Sequence, residues 1–189
     1  APAGLRVVHG STVATNAVLE GKGVRTLFIA NCGFTDLLTI GRQARERLYE
    51  LQPQEPAPPV PPELCVGVGG RLSASGELVE PLTESDLAVV RDAVERLSPR
   101  AVAVYLLVSY LDPSVERVIA ETLPADCFVS LSSEVLPEIR EYERGMATWL
   151  NAYVGPLVEG YVKRLRDGLP GASVSVMQSS GDTVAAEQA

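Results

Sequence analysis

The chain has 189 residues, 46% hydrophobic and 21% charged, with a formal net charge of −8 and a sequence pI near 4.7. This balance is typical of a folded globular protein and excludes an intrinsically disordered chain. The acidic charge argues against nonspecific nucleic-acid binding. A membrane is not an expected partner either, because no apolar run approaches the roughly 20 residues of a membrane span.

The N-terminal residues predict a strand that leads directly into a helix. Residues 5–8 are an apolar run that ends at His9-Gly10, and a helical pattern follows at once. The hydroxyls of Ser11 and Thr12 then lie where a helix leaves its first backbone N–H groups unpaired. Such a junction can hold an anion or a polar ligand, although one junction does not identify which.

The next segments predict a second strand at residues 24–30 and a short helix at 35–40. A connecting loop is expected over residues 41–63, because six prolines between positions 53 and 62 forbid a regular helix or a central strand. Residues 64–72 and 77–81 flank a Ser-Ala-Ser-Gly turn, which predicts a hairpin.

The middle of the chain shows the clearest periodicity. A helix is predicted over residues 84–97, with Thr83 and Asp86 as a capping box and an apolar stripe that includes Val90 and Leu97. Residues 101–108 are nearly all apolar, as in a strand that is covered on both faces. A helix over 113–123 is predicted to follow, with Asp112 as its cap.

The C-terminal part predicts a strand, a long helix and another strand. The strands are expected at residues 127–131 and 174–177, and the helix at 139–169, kinked or split by Gly155-Pro156. A polar tail is expected over residues 179–189.

Strands that alternate with helices predict an α/β fold, with a layered, mostly parallel sheet and flanking helices. We expect residues 1–189 to form a single α/β domain that is an internal fragment of a longer subunit. The three cysteines, Cys32, Cys65 and Cys127, are widely spaced and form no Cys-x-x-Cys pair. They predict buried free thiols and a reducing, cytoplasmic setting.

The candidate site residues each allow a functional and a structural interpretation. His9, the only histidine, fits a general base, a ligand or a hydrogen-bond donor to substrate, and equally a structural role. Ser11, Thr12 and Asn16 would present hydroxyls and an amide to a phosphate or carbonyl, or simply cap and decorate the helix.

Charged side chains form a second group of candidates. Arg42 lies in an arginine-rich loop and suits a carboxylate or phosphate ligand, unless it pairs with glutamates. Residues 132–144 are dense in charge and include Arg144 and the closely spaced Glu138 and Glu141. These carboxylates fit acid–base work or an ion-paired helix start. The sequence contains neither a Gly-x-x-x-x-Gly-Lys-Ser/Thr loop nor a Gly-x-Gly-x-x-Gly turn.

Several segments in order resemble the hydantoinase A / 5-oxoprolinase family, which includes acetone and acetophenone carboxylase subunits. The segments are residues 9–17, 41–43 with 48–49, Ser109-Tyr110 with Pro113 and Glu116, 131–144 with 151–153 and 156–157, and 176–179. The resemblance implies an actin-like ATPase-type (ribonuclease H-like) fold, ATP and Mg²⁺ as cofactors, and a B-type hydantoinase subunit or domain as partner.

The resemblance also implies an activity: ATP-dependent opening of a cyclic amide of the hydantoin or 5-oxoproline type. A ketone carboxylase subunit or a non-catalytic structural subunit is the alternative. His9 would be a polar contact or proton carrier, and Arg42 and Arg144 would neutralise phosphate or carboxylate charge. Ser11, Thr12 and Asn16 would line the nucleotide and substrate site.

The chain departs from the family pattern at four positions. Val108 stands where the family usually has histidine, Gly145 and Met146 where it has hydroxyl side chains, and Asp182 where it has glycine. These positions are polar in the family and can face a ligand, so the departures leave both the substrate and the activity open. The glycine-rich turns that hold phosphate in the family are not present, so the 189-residue chain is expected to be inactive by itself.

Overall fold

The computed structural model describes residues 5–44, 49, 57–177 and 182–185. The chain forms two compact units, where the sequence predicted a single domain over residues 1–189. The terminal unit contains the described residues up to Val24 and from Val154 onward, and the central unit spans Arg25–Tyr153. Each unit has its own sheet.

The terminal unit is built on a three-stranded sheet in the order β1-β8-β9. Strand β1 (Arg6–His9) runs parallel to β8 (Ser173–Met177), and β9 (Thr183–Ala185) is antiparallel to β8. Helix α1 (Val13–Leu19) follows β1. The unit's apolar core contains side chains of the second part of a long helix, of the turn that follows it and of β8, namely Val158, Tyr161, Val162, Leu165, Leu169, Val174 and Val176.

Strand β9 lies within residues 179–189, which the sequence predicted as a polar tail. It is only three residues long and its apolar content is low, so composition gave no strand signal. Backbone pairing with β8 supplies the order that the sequence pattern lacked, since Val184 is aligned with Val176.

The central unit is built on a four-stranded parallel sheet in the order β3-β2-β6-β7. Its strands are β2 (Thr26–Asn31), β3 (Cys65–Val68), β6 (Ala101–Tyr105) and β7 (Phe128–Leu131). Every residue of β2 and β6 is buried, as expected for a parallel sheet covered on both faces. The predicted α/β fold with a mostly parallel sheet is therefore confirmed.

Helices cover this sheet because their apolar stripes match its two faces. On one face, Leu27, Ile29 and Val104 share a core with Val90 and Leu97 of helix α3, which follows strands β4 and β5. On the other face Phe28 and Tyr105 stack with ring centroids 6.0 Å apart.

The remaining central elements are α2 (Leu37–Ile40), a 3₁₀ turn (Pro62–Leu64), β4 (Arg71–Leu72), β5 (Leu78–Glu80), α3 (Glu84–Leu97), α4 (Ser114–Glu121) and α5 (Ser132–Val135).

The predicted hairpin is confirmed for its second half only. Strands β4 and β5 pair in antiparallel fashion, but residues 64–72 do not form one strand. The chain turns at Gly69-Gly70, because Gly70 has a φ of +78° and a Cβ at Gly69 would lie 2.7 Å from the Pro81 carbonyl oxygen. Strand β3 thus joins the parallel sheet, and β4 leaves it.

Two further boundaries differ from the prediction. Strand β6 ends at Tyr105 instead of residue 108, and a tight turn follows in which Val108 has a φ of +62°. Helix α6 (Glu141–Asp167) is continuous through Pro156, so of the kink or split predicted there the split does not occur. Burial of Ala152 and Val162 on either side of Pro156 offsets the cost of about 3 kcal/mol that proline imposes on a helix interior.

The cysteines are unpaired but not all buried. Cys32 is exposed, which corrects the prediction of buried thiols, while Cys65 and Cys127 are half-buried. Burial, followed by the charges of Glu63 and Asp36, raises the pKa of the Cys65 thiol to about 11. Across the described ranges, none of the helices is sufficiently long and apolar to cross a lipid bilayer.

Candidate functional site

His9 lies at the carboxyl end of β1, where it is half-buried and aligned with Val176 of β8. Its Nε2 is 2.6 Å from the hydroxyl oxygen of Tyr161, and the two ring centroids are 5.6 Å apart. Because β1 and β8 are parallel, this is the edge of the sheet at which α/β proteins commonly bind ligands. The tyrosine partner was not predicted from the sequence, because 152 residues separate the two side chains.

The polar residues that follow His9 are exposed. Ser11 Oγ accepts a hydrogen bond from the Val13 amide at 3.2 Å, so it closes a local turn ahead of α1. Asn16 donates to Thr12 Oγ1 at 3.5 Å, and Thr12 makes no side-chain capping bond. Among the described residues, no heavy atom lies within 4 Å of a Cβ placed on Gly10, so within that part of the chain Gly10 borders open space beside His9.

Arg42 lies in the central unit and forms an ion pair with Glu143. The hydrogen bond from Arg42 is the main cause that holds the pKa of the Glu143 carboxyl below its usual range. Both side chains line a shallow cavity of about 410 Å³ together with Gly41, Arg140 and Tyr142. Pairing with a glutamate was one of the two interpretations left open for Arg42.

Arg144 is completely buried, which the sequence did not predict for a charge-neutralising residue. Its guanidinium carbon lies 4.9 Å from the Tyr105 ring centroid and 5.2 Å from that of Tyr110. It donates to Ser109 Oγ at 3.0 Å and to the Glu141 carboxylate, and its Nε has no partner within the described part of the chain. With no solvent-exposed surface, Arg144 is placed to order neighbouring side chains in this structure.

Glu141 is engaged in this same cluster, and Glu138 is exposed outside it. Glu141 accepts hydrogen bonds from the hydroxyl of Tyr105 and from Arg144. Burial is the main cause that raises the pKa of Tyr105, and the hydrogen bond to Glu141 adds to it. The two carboxylates therefore have different environments and do not act as a matched acid–base pair in this structure.

Glu116 is a buried carboxylate for which sequence reasoning gave no role beyond the family resemblance. It accepts hydrogen bonds from the Leu106 amide at 3.0 Å and from Ser109 Oγ at 2.8 Å, both after β6. It also accepts bonds from Ser132 Oγ at 2.7 Å and from the amide and hydroxyl of Ser133, at 3.0 and 2.7 Å. Glu116 thus joins the carboxyl ends of β6 and β7.

Asn31 makes the corresponding connection between β2 and its neighbours. Its amide nitrogen donates to the Gly69 carbonyl at 3.0 Å, and its Oδ1 accepts from the Leu107 amide at 2.8 Å. In the order β3-β2-β6-β7, strand β3 lies on one side of β2, and β6, the next strand added to this sheet, lies on the other side. The position between β2 and β6 is therefore a topological switch point, where open α/β sheets bind ligands. Val108, which has positive φ, follows directly, so this turn is held in a conformation that a β-branched residue rarely adopts.

One of the departures from the family pattern is explained by packing. Gly145 is buried, and a Cβ there would approach Leu37 Cδ2 to 3.3 Å and Leu38 Cδ2 to 3.4 Å. A Cβ at position 145 would therefore lie against apolar side chains in this structure.

The six predicted site residues fall into two sets. His9, Ser11, Thr12 and Asn16 belong to the terminal unit, while Arg42 and Arg144 belong to the central unit. Within the described ranges no group of three or more His, Cys, Asp or Glu side chains is placed to hold a metal ion.

Residues 5–127 match the family model described as the hydantoinase/oxoprolinase N-terminal region. The chain belongs to this family. The matched residues include strands β1 through β6 and five of the six candidate site residues, all but Arg144. The resemblance inferred from the sequence is confirmed.

The chain is similar to three named members of this family. It is 32% identical to caprolactamase subunit alpha of Pseudomonas jessenii over 84% of the chain and 23% of that protein. It is 31% identical to 5-oxoprolinase 1 of Arabidopsis thaliana, over 91% of the chain and 15% of that protein. It is 28% identical to the acetophenone carboxylase gamma subunit of Aromatoleum aromaticum, over 92% and 26% respectively.

Two solved structures share the fold. The crystal structure of ATP-dependent caprolactamase from Pseudomonas jessenii matches with a TM-score of 0.82 and 31% identity, covering 96% of this chain and 28% of that one. The nucleotide-free structure of acetone carboxylase matches with a TM-score of 0.85 over the same shares, and at 24% identity it supports the fold alone. The chain spans about a quarter or less of the length of the curated relatives described above.

Proposed function

We propose that this chain is part of an ATP-dependent enzyme that opens a cyclic amide of the hydantoin, 5-oxoproline or caprolactam type. The observation that carries the proposal is the family match over residues 5–127. The relatives named caprolactamase subunit alpha and 5-oxoprolinase 1 support this substrate class, because both names denote the opening of a lactam ring.

The exposed polar groups of the terminal unit suit the binding of oxygen atoms. Ser11, Thr12 and Asn16 present two hydroxyls and an amide beside the open space at Gly10. Such groups can donate hydrogen bonds to phosphate or amide oxygens of ATP or of the substrate. ATP would supply the phosphoryl group that activates the amide oxygen, and the protein would contribute positioning and charge neutralisation. Mg²⁺ is proposed only as the companion of the nucleotide, because the described residues form no metal-ligand group.

Arg42 and Arg144 would contribute in different ways. The ion pair of Arg42 with Glu143 is exposed, and such pairs contribute little stability, so an anionic ligand can replace Glu143 at low cost. Arg144 is buried and would act through Ser109, which it contacts at the turn after β6. We therefore assign charge neutralisation to Arg42 and positioning to Arg144.

The test is a substrate panel on the complete enzyme together with its proposed B-type partner, with ADP release as the readout. Caprolactam, 5-oxoproline and hydantoin should stimulate ADP release in the presence of Mg²⁺, at least one of them strongly. Arg42→Gln should lower kcat/KM for the active substrate. Arg91→Gln, which removes a similar exposed arginine paired with Glu84, should leave kcat/KM unchanged.

A ketone carboxylase subunit is the second candidate. It is favoured by the match to the acetophenone carboxylase gamma subunit, which extends over 92% of the chain. ADP release that requires both bicarbonate and a ketone such as acetophenone, with no response to any lactam, would replace the first proposal by this one. No response to either substrate class would favour a non-catalytic structural subunit.

A further inference from the structure

His9 and Tyr161 form a hydrogen-bonded pair at the carboxyl end of β1. None of the similarities described above gives this pair a role. We propose that Tyr161 is a positioning residue that fixes the tautomer of His9. In this tautomer the Nδ1–H of the His9 imidazole is available to donate a hydrogen bond to an oxygen atom of the substrate or nucleotide. This inference deepens the proposed function, since it selects one of the two roles open for His9, polar contact or proton carrier.

Both partners are anchored, so the pair has a defined geometry. Tyr161 packs in the apolar core of the terminal unit beside Val162 and Val174. His9 is held by the backbone pairing of β1 with β8, in line with Val176. The separation of 2.6 Å between His9 Nε2 and the Tyr161 hydroxyl is that of a short, well-formed hydrogen bond.

The chemistry of this hydrogen bond determines which ring nitrogen carries the proton. A neutral imidazole has one N–H donor and one acceptor nitrogen, and the hydrogen bond made by one nitrogen selects the state of the other. A phenol is the better donor of the two groups and an imidazole nitrogen the better acceptor. Tyr161 therefore donates to Nε2 of His9, and the proton of the neutral ring is on Nδ1.

The remaining nitrogen is the one that can meet a ligand. Among the described residues, no side chain or backbone group forms a hydrogen bond with Nδ1 of His9, whose one contact of this kind is with Tyr161. The adjacent Gly10 borders open space, and Ser11 is exposed. A neutral His9 in this state donates a hydrogen bond through Nδ1 and cannot accept a proton there, so it acts as a donor and not as a base.

The first test measures the tautomer of His9 directly. His9 is the only histidine of the 189-residue chain, so a long-range ¹H–¹⁵N NMR correlation spectrum shows a single imidazole. We expect a protonated Nδ1 and an unprotonated Nε2 in the neutral ring. Tyr161→Phe should shift the ring toward the Nε2–H form that is favoured in water, and Tyr153→Phe, on the same helix, should not. A wild-type spectrum with Nε2–H, or an unchanged spectrum in Tyr161→Phe, would overturn the proposal.

The second test uses isosteres of the two nitrogens in the complete enzyme. The amide nitrogen of asparagine occupies the place of histidine Nδ1, and that of glutamine the place of Nε2. His9→Asn should retain most of kcat/KM, whereas His9→Gln should lose it by on the order of 100-fold, as for loss of a hydrogen-bond donor to a developing charge. Tyr161→Phe should lower kcat/KM by about 2- to 10-fold, as for loss of one hydrogen bond.

The outcomes separate this inference from the proposed function. Equal losses of kcat/KM in His9→Asn and His9→Gln would show that His9 transfers a proton. The proposed role of His9 as a hydrogen-bond donor through Nδ1 would then be rejected. If the wild-type enzyme turned over no lactam, the proposed function would fail, and the tautomer measurement would still decide whether Tyr161 sets the state of His9.

Discussion

Glu116 connects two strands of the central sheet through a single buried carboxylate. Its oxygens accept hydrogen bonds from groups that follow β6 and from groups that follow β7. Ser109, one of these donors, is also contacted by the buried guanidinium of Arg144. The carboxylate of Glu116 thus accepts hydrogen bonds from several donors and lies near the buried guanidinium of Arg144. The contribution of each of these two residues to stability therefore depends on the presence of the other.

We predict that Glu116→Gln destabilises the protein by about 3 kcal/mol. The amide has nearly the same shape, but its NH₂ group would face N–H or O–H donors, and the buried charge of Arg144 would lose a nearby counter-charge. Denaturant unfolding of the 189-residue chain measures this loss. Glu121→Gln, on the exposed surface of the same helix, should change the free energy of unfolding by less than about 0.5 kcal/mol. Equal effects of the two substitutions would contradict the role given to Glu116.

Sequence reasoning located single residues better than their partners. His9 at a strand end beside glycine was predicted because a strand and a helix pattern meet there. Its hydrogen bond with Tyr161 could not be predicted, since the contact depends on how a distant helix packs. The burial of Arg144 was missed for the same reason: a charge-dense segment is most often exposed, and only the fold brings Tyr105 and Tyr110 to either side of the guanidinium.

At the scale of the element, α3 has the best-defined start of the described helices. Thr83 Oγ1 accepts a hydrogen bond from the Asp86 amide, and the Asp86 carboxylate accepts one from the Thr83 amide. Asp86 also accepts a bond from the Gly69 amide at 3.2 Å, which ties the helix start to the end of β3. We predict that Thr83→Ala destabilises the protein by about 1 kcal/mol in denaturant unfolding, while Thr83→Ser, which keeps the hydroxyl, has a much smaller effect.

The same cap should make stability depend on pH. Burial alone would raise the pKa of the Asp86 carboxyl, but the hydrogen bonds from Thr83 and Gly69 outweigh it and hold the pKa below its usual range. Since the folded pKa is the lower one, the contribution is complete above the unfolded value of about 3.9 and is lost as the pH falls through the folded pKa.

We therefore expect the stability difference between wild type and Asp86→Asn to be constant from pH 7 to about pH 5 and to shrink below about pH 4. Denaturant unfolding at several pH values measures it. Asp92→Asn, which alters an exposed carboxylate on the same helix, is the matched control. If the difference in free energy of unfolding between wild type and Asp86→Asn grew as the pH fell, the pKa of the Asp86 carboxyl would be raised by folding and not lowered, which would contradict this prediction.

Elements with strong periodicity or continuous apolar character were predicted well, and the others were not. Helix α3 was predicted with its bounds and cap because stripe and capping box agree. The buried run after residue 100 was predicted as a strand but made too long, since Leu106 and Val108 are apolar yet belong to a turn stabilised by Asn31 and Glu116. Tertiary contacts of this kind leave no local pattern.

At the scale of the whole molecule, the chain corresponds to only part of its relatives. It covers 15% to 28% of the length of the relatives and solved structures described above. The family resemblance implies glycine-rich turns that hold phosphate, and these are not among the 189 residues. We predict that the purified chain shows no magnesium-dependent ATPase activity, measured as phosphate release, while the complete enzyme does. Activity of the chain that is abolished by a metal chelator would contradict this prediction.

The side chain of Asn31 connects the turn after β6 to the sheet through two hydrogen bonds. The Leu107 amide lies outside any strand, yet it donates to Asn31 Oδ1 and is thereby connected through the same side chain to the Gly69 carbonyl. The Leu107 amide proton can exchange with solvent only when its hydrogen bond to Asn31 Oδ1 opens. We therefore expect its exchange rate to be closer to that of the buried strands than to that of an ordinary surface turn. The hydrogen-exchange rate of the Leu107 amide thus reports local opening at the position between β2 and β6.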